Sequence, residues 1–199
     1  MKKSTILLLA GLAVVALWFI STRNGFVSQD ENVNKAWANV QTQYQRRLDL
    51  IGNLVNTVKG YAKHEKETFE SITNARAKVS SAININAEDL SEEKLAEVQK
   101  QLSEASAQMN SGLSRLIAVS ESYPELKAGE QFKELQAQLE GTENRIAEAR
   151  NKFNSAVQEY NKQVRLFPGN LVASICGYSA KAMFQADAGA EHAPTVNFD

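Results

Sequence analysis

Cysteine, proline and glycine are scarce in this chain of 199 residues, which has one cysteine (Cys176), 3 prolines and 10 glycines. A lone cysteine excludes an intrachain disulfide and a cysteine-based metal cluster. Its small apolar neighbours predict a packing role for the thiol rather than a reactive one. Few turn-forming residues and abundant Ala, Glu, Gln, Lys and Leu predict an all-α protein, and the length fits one folded domain.

The chain also lacks a large excess of either charge, with 22 Lys and Arg against 23 Asp and Glu. Outside the N-terminal segment the balance becomes 19 against 23, because Lys2, Lys3 and Arg23 flank that segment. A mildly acidic body offers no basic field for nucleic acid and no polybasic stripe for anionic lipid. We therefore expect no nucleic-acid partner.

Catalytic templates are missing as well. His64 begins a sequence like the zinc-protease H-E-x-x-H helix, but Thr68 replaces the second histidine. A di-iron bundle would need glutamate three residues before a histidine, where this chain has Tyr61. Neither glycine-rich phosphate motif is present, and a serine triad would have to use His64 or His192 without a nucleophile elbow. The sequence predicts no enzymatic activity, no metal and no cofactor.

One long apolar run is present at the N-terminus. Residues 4–22 carry no charge and would span about 28 Å as a helix, close to the hydrocarbon thickness of a bilayer. We predict a transmembrane anchor at residues 1–23, with the bilayer contacted by Ile6, Leu7, Leu8, Leu9, Leu12, Val14, Val15, Leu17, Trp18, Phe19 and Ile20.

A cleavable secretory signal is the alternative, because Lys2 and Lys3 form a basic start and residues 14–16 offer a small-residue site. Apolar character continues beyond that site, which favours an uncleaved anchor. Lys2, Lys3 and the terminal amine outnumber Arg23 and the more distant Lys35, so the positive-inside rule places the body outside the membrane by one charge. A cytoplasmic body remains the alternative.

The body begins with a polar link, Asn24 to Glu31, followed by apolar residues at spacings of three and four. This period runs from Val33 to Val79 and predicts a first helix of about 45 to 50 residues, roughly 70 Å if unbroken. Gly52 and Gly60 are its expected weak points. Its apolar arc is wide, so we expect it to touch more than one neighbour.

Three further elements are predicted. Ser91 followed by two glutamates starts a second helix that ends at Tyr123, before a proline. The periodic stretch Leu126 to Phe167 predicts a third helix, and Leu171 to Phe184 a short closing helix. Residues 24–184 should form an antiparallel up-and-down bundle of long helices, of four-helix type. The tail, 185–199, is predicted to be extended, either docked in a groove or disordered.

Two sets of polar residues stand out on the predicted helices. On a helical wheel four of them point away from the apolar arc of helix 1, which makes them candidates for partner binding: Arg46, Asp49, Asn53 and His64. Four others line one edge of the apolar stripe of helix 3 and form a polar ladder: Glu143, Arg150, Asn154 and Asn161. The ladder is either a solvated flank or a set of hydrogen bonds that fixes the register of a neighbouring helix.

Several blocks of this sequence resemble the signature of the LemA family. They are Ala36-Trp37, Arg46-Arg47-x-Asp49-Leu50-Ile51-x-Asn53-Leu54-Val55, Val58 to Ala62 with His64-Glu65, Tyr123 to Lys127, Glu143 to Ala147, Ala149-Arg150, Asn154, Tyr160-Asn161, Phe167-Pro168 and Pro194-x-Val196-x-Phe198. The resemblance covers nearly the whole chain after residue 30. Gly52 is a departure, since the family commonly has proline there, and it puts any family kink in doubt.

The resemblance implies a single-pass protein of the bacterial cytoplasmic (inner) membrane that carries a helical bundle. Because a relative takes part in magnetosome membrane formation, it also implies membrane organisation as a theme. The resemblance also implies, as an alternative, an N-terminus outside the cell, opposite to the charge count.

The leading hypothesis is a non-enzymatic scaffold or adaptor that binds a protein partner or a further copy of itself through the outward face of helix 1. The alternative is a sensor or carrier of a small apolar ligand or lipid. The aromatic seam of helices 1 and 3 argues against an unfilled interior.

Overall fold

The computed structural model describes residues 3–62 and 64–185. In those residues it holds six α-helices, α1 (Lys3–Lys59), α2 (Lys66–Ile83), α3 (Glu92–Glu121), α4 (Pro124–Ala128), α5 (Glu130–Arg165) and α6 (Gly169–Cys176), and one 3₁₀ turn, Ala87–Asp89. The four long helices run alternately up and down, with α1 packed on α5 and α2 on α3. The predicted all-α antiparallel bundle is confirmed.

The core follows the length of α1 and α5, because apolar side chains recur there every three or four residues. Trp37 of α1 packs on Phe153 of α5, with ring centroids 5.5 Å apart. Phe26 and Tyr160 form the next aromatic pair toward the N-terminal end, at 6.4 Å. As the width of its apolar arc predicts, α1 also contacts α2, α3 and α6.

The polar link expected at residues 24–31 is wrong, because α1 is one helix from Lys3 to Lys59. Phe26 and Val33 are both completely buried, so the apolar period of the body extends back through the polar segment. The polar residues between them face outward or lie partly buried. Consequently the apolar N-terminal run and the bundle share one helix of about 85 Å.

The first helix does not reach Val79. It ends at Lys59, just before Gly60, and the chain turns into the separate helix α2. Of the two weak points, Gly60 marks the break, whereas α1 continues through Gly52. Helix α2 then returns along α1, where the carbonyl oxygens of Ile83 and Ile85 accept hydrogen bonds from Gln41 Nε2 (2.6 Å) and Trp37 Nε1 (2.8 Å).

Short-range sequence signals determine most of the other helix ends. Ser91 caps α3 by accepting a hydrogen bond from the Lys94 backbone amide at 3.2 Å, and α3 ends before Pro124, both as predicted. The predicted third helix is interrupted once, since Gly129 separates α4 from α5.

The closing helix is shorter than predicted. Helix α6 ends at Cys176 because Gly177 adopts the left-handed conformation, with φ at 77°. Cys176 is partly buried and packs against the core. Residues 178–185, here called the strap, continue without helix along α5. The predicted tail beyond residue 185, with Pro194, Val196 and Phe198, lies outside the described residues.

Candidate functional site

The partner-binding candidates lie on two different elements. Arg46, Asp49 and Asn53 are exposed on one face of α1, at spacings of three and four residues. His64 is also exposed, but it lies in the turn after α1 and not on its face, so its helical-wheel placement is wrong. The structure therefore assembles three of the four residues into one polar face.

This polar face borders a groove between α1 and the end of α2. The groove is lined by Ala38, Gln41, Thr42, Gln45, Arg46, Asp49, Ser80, Ile83 and Asn84. Asp49 accepts a hydrogen bond from Gln45 Nε2 at 2.8 Å, which orients its carboxylate on the helix surface. The groove is open, and seven of its nine lining residues are polar or charged, which suits a protein partner better than an apolar small molecule.

The upper half of the polar ladder binds α1. Glu143 is ion-paired with Arg47, whose side chain is buried and also donates to Asn110 Oδ1 of α3 at 2.9 Å. Arg150 donates to the Tyr44 hydroxyl and lies over the Tyr44 ring. Each of these contacts joins different helices, so the ladder is positioned to set their register, and that role stays a prediction.

The lower half of the ladder binds the strap. Asn161 donates to the carbonyl oxygen of Lys181 (2.7 Å) and accepts from its amide (2.8 Å). Asn154 makes the same pair of bonds with Phe184, at 2.9 and 2.8 Å. Seven residues of helix advance about 10.5 Å, and three residues of extended chain advance about 10 Å. The two asparagines therefore match the spacing of the strap residues that they hold.

Aromatic and charged contacts reinforce the strap along the same line. Tyr178 stacks on Phe26 with centroids 4.8 Å apart, and Phe184 packs on Trp37 at 6.0 Å. The Lys181 ammonium lies 2.8 Å from a carboxylate oxygen of Asp30. The strap thus ties α5 to the first turns of the bundle in α1.

Two tyrosines between α1 and α5 have raised pKa values. Burial raises the pKa of Tyr160 to about 12, helped by the negative charge of Asp30 and by Tyr178. Burial also raises the pKa of Tyr44, although the neighbouring Arg150 opposes that shift. Both phenols are therefore neutral at physiological pH, where they pack in the core as proton-bearing groups.

Sequence reasoning missed part of this arrangement. Arg47 was not among the predicted site residues, yet the residue is only 4% exposed and pairs with Glu143. Asp30 and Lys181 were not singled out, because nothing local marks residues so far apart as an ion pair. The one available signal was the pair Asn154 and Asn161, since their spacing of seven aligns them on one helix edge.

No cluster of three or more His, Cys, Asp or Glu side chains that could hold a metal ion occurs within residues 3–62 and 64–185. The predicted lack of catalysis and cofactors, and the carrier alternative, stay predictions. The N-terminal part of α1 is long and apolar enough to cross a membrane.

Comparison with known proteins identifies the family of this chain. The model of the LemA family matches residues 36–198. Magnetosome protein MamQ 2 of Paramagnetospirillum magneticum is 30% identical over 196 residues, which cover 90% of this chain and 71% of that protein. Magnetosome protein MamQ of Magnetospirillum gryphiswaldense is 27% identical, with 92% and 74% covered. Protein LemA of Metamycoplasma hominis is 23% identical, with 84% and 71% covered. The predicted resemblance is confirmed, and this chain belongs to the LemA family.

Proposed function

We propose that this protein is a membrane-tethered scaffold that presents the polar face of α1 to a protein partner or to a second copy of itself. The observation that carries the proposal is the continuity of α1, which joins the apolar N-terminal run to the bundle without a flexible link. A flexible tether would only concentrate the bundle near the membrane. A continuous helix also sets the distance of the bundle from the membrane.

The position of the polar face along α1 sets its distance from the membrane. Arg46 and Asn53 follow Arg23, the first charged residue after the apolar run, by 23 and 30 residues. At helical rise these distances are about 35 and 45 Å along α1. A partner bound there is held at a set distance from the bilayer, as a scaffold in membrane organisation requires.

The chemistry of the face favours a polar interface. Arg46 and Asp49 carry opposite charges one turn apart, so a second copy related by two-fold symmetry can pair the arginine of one chain with the aspartate of the other. A different partner would need the same alternation of charge. The names of the magnetosome relatives support a place for the protein at a membrane.

Site-specific crosslinking in native membranes tests this proposal. A photoreactive residue in place of Asn53 should give a discrete adduct whose mass distinguishes a homodimer from another protein. The double charge reversal Arg46→Glu with Asp49→Lys should remove that adduct. Asn144 is the matched control, because it is equally an exposed asparagine but lies on α5. An adduct that persists after charge reversal, or equal adducts at both asparagines, would contradict the proposed face.

Protease accessibility of the same membranes determines the orientation. Cleavage of the bundle in spheroplasts would place it outside the membrane, as the flanking charges predict. Protection in spheroplasts together with cleavage in inverted membrane vesicles would place the bundle in the cytoplasm.

A further inference from the structure

Four large apolar side chains are exposed where α5 passes into α6. Leu166 is 63% exposed, Phe167 78%, Leu171 50% and Ile175 73%. These residues are here called the apolar corner. Leu171 and Ile175 are one helical turn apart on the outer side of α6, whereas Val172 and Ala173 are buried on its inner side. Helix α6 therefore carries an apolar outer face in addition to its core face.

The apolar corner lies at the end of the bundle where the apolar run leaves it. Gln163, three residues before Leu166, donates a hydrogen bond to the carbonyl oxygen of Thr22 at 3.4 Å. Thr22 is the last residue of the uncharged run, directly before Arg23. At the start of α6, a methyl group on Gly169 would lie 3.8 Å from the Phe26 ring. The corner is thus level with the exit of the proposed membrane span.

The bundle also overlaps the apolar run itself. Within residues 3–20 every side chain is exposed except Phe19, which is partly buried and packs against the core. Phe19 precedes Arg23 by four residues, or about 6 Å of helix. Protein therefore covers α1 at a depth that belongs to the outer part of the span.

The groups around the apolar corner suit the interfacial layer of a bilayer. Trp18 and Phe19 lie at the end of the apolar run, as aromatic side chains commonly do at a membrane surface. Arg23 and Arg165 are exposed at the same end of the bundle, where guanidinium groups can contact lipid phosphates.

From these observations we propose that the apolar corner inserts into the interfacial layer of the same bilayer that α1 crosses. This inference rests on the anchor in the proposed function. It adds a second attachment beside the span, and two attachments restrict both the tilt of the bundle and its rotation about α1. The direction in which the polar face of α1 points would then be fixed relative to the membrane surface.

Depth-dependent fluorescence quenching in nanodiscs tests the inference with the full chain. The background is Cys176→Ser, and single cysteines labelled with the environment-sensitive fluorophore NBD are introduced as Ile175→Cys and Phe167→Cys. The matched control is Ile117→Cys, an exposed isoleucine of α3 two turns beyond Asn110, at the far end of the bundle. Leu12→Cys reports on the span. Nanodiscs of phosphatidylcholine and phosphatidylglycerol with one chain each are compared with and without doxyl-labelled lipid.

We expect doxyl lipid to reduce emission about twofold at residues 175 and 167, because interfacial helices bury their apolar face roughly 5–10 Å into the bilayer boundary. Emission at residue 117 should not change, and that at residue 12 should fall. Quenching at residue 12 alone would overturn the inference and leave the anchor intact, whereas no quenching at residue 12 would overturn the anchor.

Quenching by aqueous iodide distinguishes the two other environments of the apolar corner, which are solvent and covering protein. Quenching by iodide but not by lipid at residues 175 and 167 would show a solvated corner. Protection from both quenchers would show that protein covers it, either the chain's own residues 186–199 or, in discs with two chains, a second copy. Either result would contradict insertion into lipid.

Discussion

Asn154 and Asn161 hold the strap by two hydrogen bonds each, so replacing either one should release a defined part of it. A hydrogen bond contributes about 0.5–1.5 kcal/mol net, and Asn161→Ala removes two of them. The expected cost is therefore about 1–3 kcal/mol. Because about 1.4 kcal/mol corresponds to a factor of ten, the Lys181 amide should exchange with solvent roughly 5 to 140 times faster.

Hydrogen–deuterium exchange of the full chain in detergent micelles measures this effect. Asn161→Ala should accelerate exchange first at Lys181, and Asn154→Ala first at Phe184, since those amides lose their acceptor. The double variant should expose the whole strap, because the two attachments share one rigid helix. Asn151→Ala is the control, since Asn151 is exposed on the same helix.

The reasoning is refuted if strap amides exchange as slowly in the double variant as in Asn151→Ala. Aromatic packing and the Lys181–Asp30 ion pair would then hold the strap, and the match of helical to extended spacing would have no energetic role. A uniform loss of protection in all helices would also contradict it, because the substitution would then act on global stability rather than on the strap.

Two further predictions concern packing and pH. Gly112→Ala should destabilise the bundle by about 1–3 kcal/mol, because its new methyl carbon would lie 2.6 Å from Ile72 Cγ1. Gly141→Ala, which meets nothing within 4 Å, should stabilise it by up to about 1 kcal/mol in the same urea titration. Equal effects would refute the crowding of α2 on α3. The fold raises the pKa of Tyr160 from 10.0 to about 12, so its contribution to stability is full below pH 10 and is lost as the pH rises toward 12. Tyr160→Phe should weaken the alkaline fall in thermal stability, and Tyr61→Phe, at an exposed site, should leave it unchanged.

Local sequence determined the helical class, the apolar run and most helix ends. Ser91 and Pro124 act within a few residues of themselves, through a side-chain cap and a blocked backbone position, so their effects are readable without the fold. The three-four spacing likewise reports the buried side of α1 wherever it occurs. For these features the sequence was sufficient, because the physical causes are short-range.

Only the tertiary structure decided how the parts join. Residues 24–31 carry polar groups that predicted a link, but Phe26 packs against Tyr160 and Tyr178, and this contact keeps α1 continuous. The buried position of Arg47 depends on Glu143 and Asn110, far along the chain.

The position of the strap is the clearest example of a feature that the sequence alone could not predict. The strap is not a helix, and four of its hydrogen bonds are made with asparagines 20 and 30 residues earlier in the chain. Spacing on α5 marked those asparagines as aligned, yet their partner was visible only after folding brought the extended chain alongside. Long-range contacts of this kind are set by packing geometry, which a one-dimensional pattern does not contain.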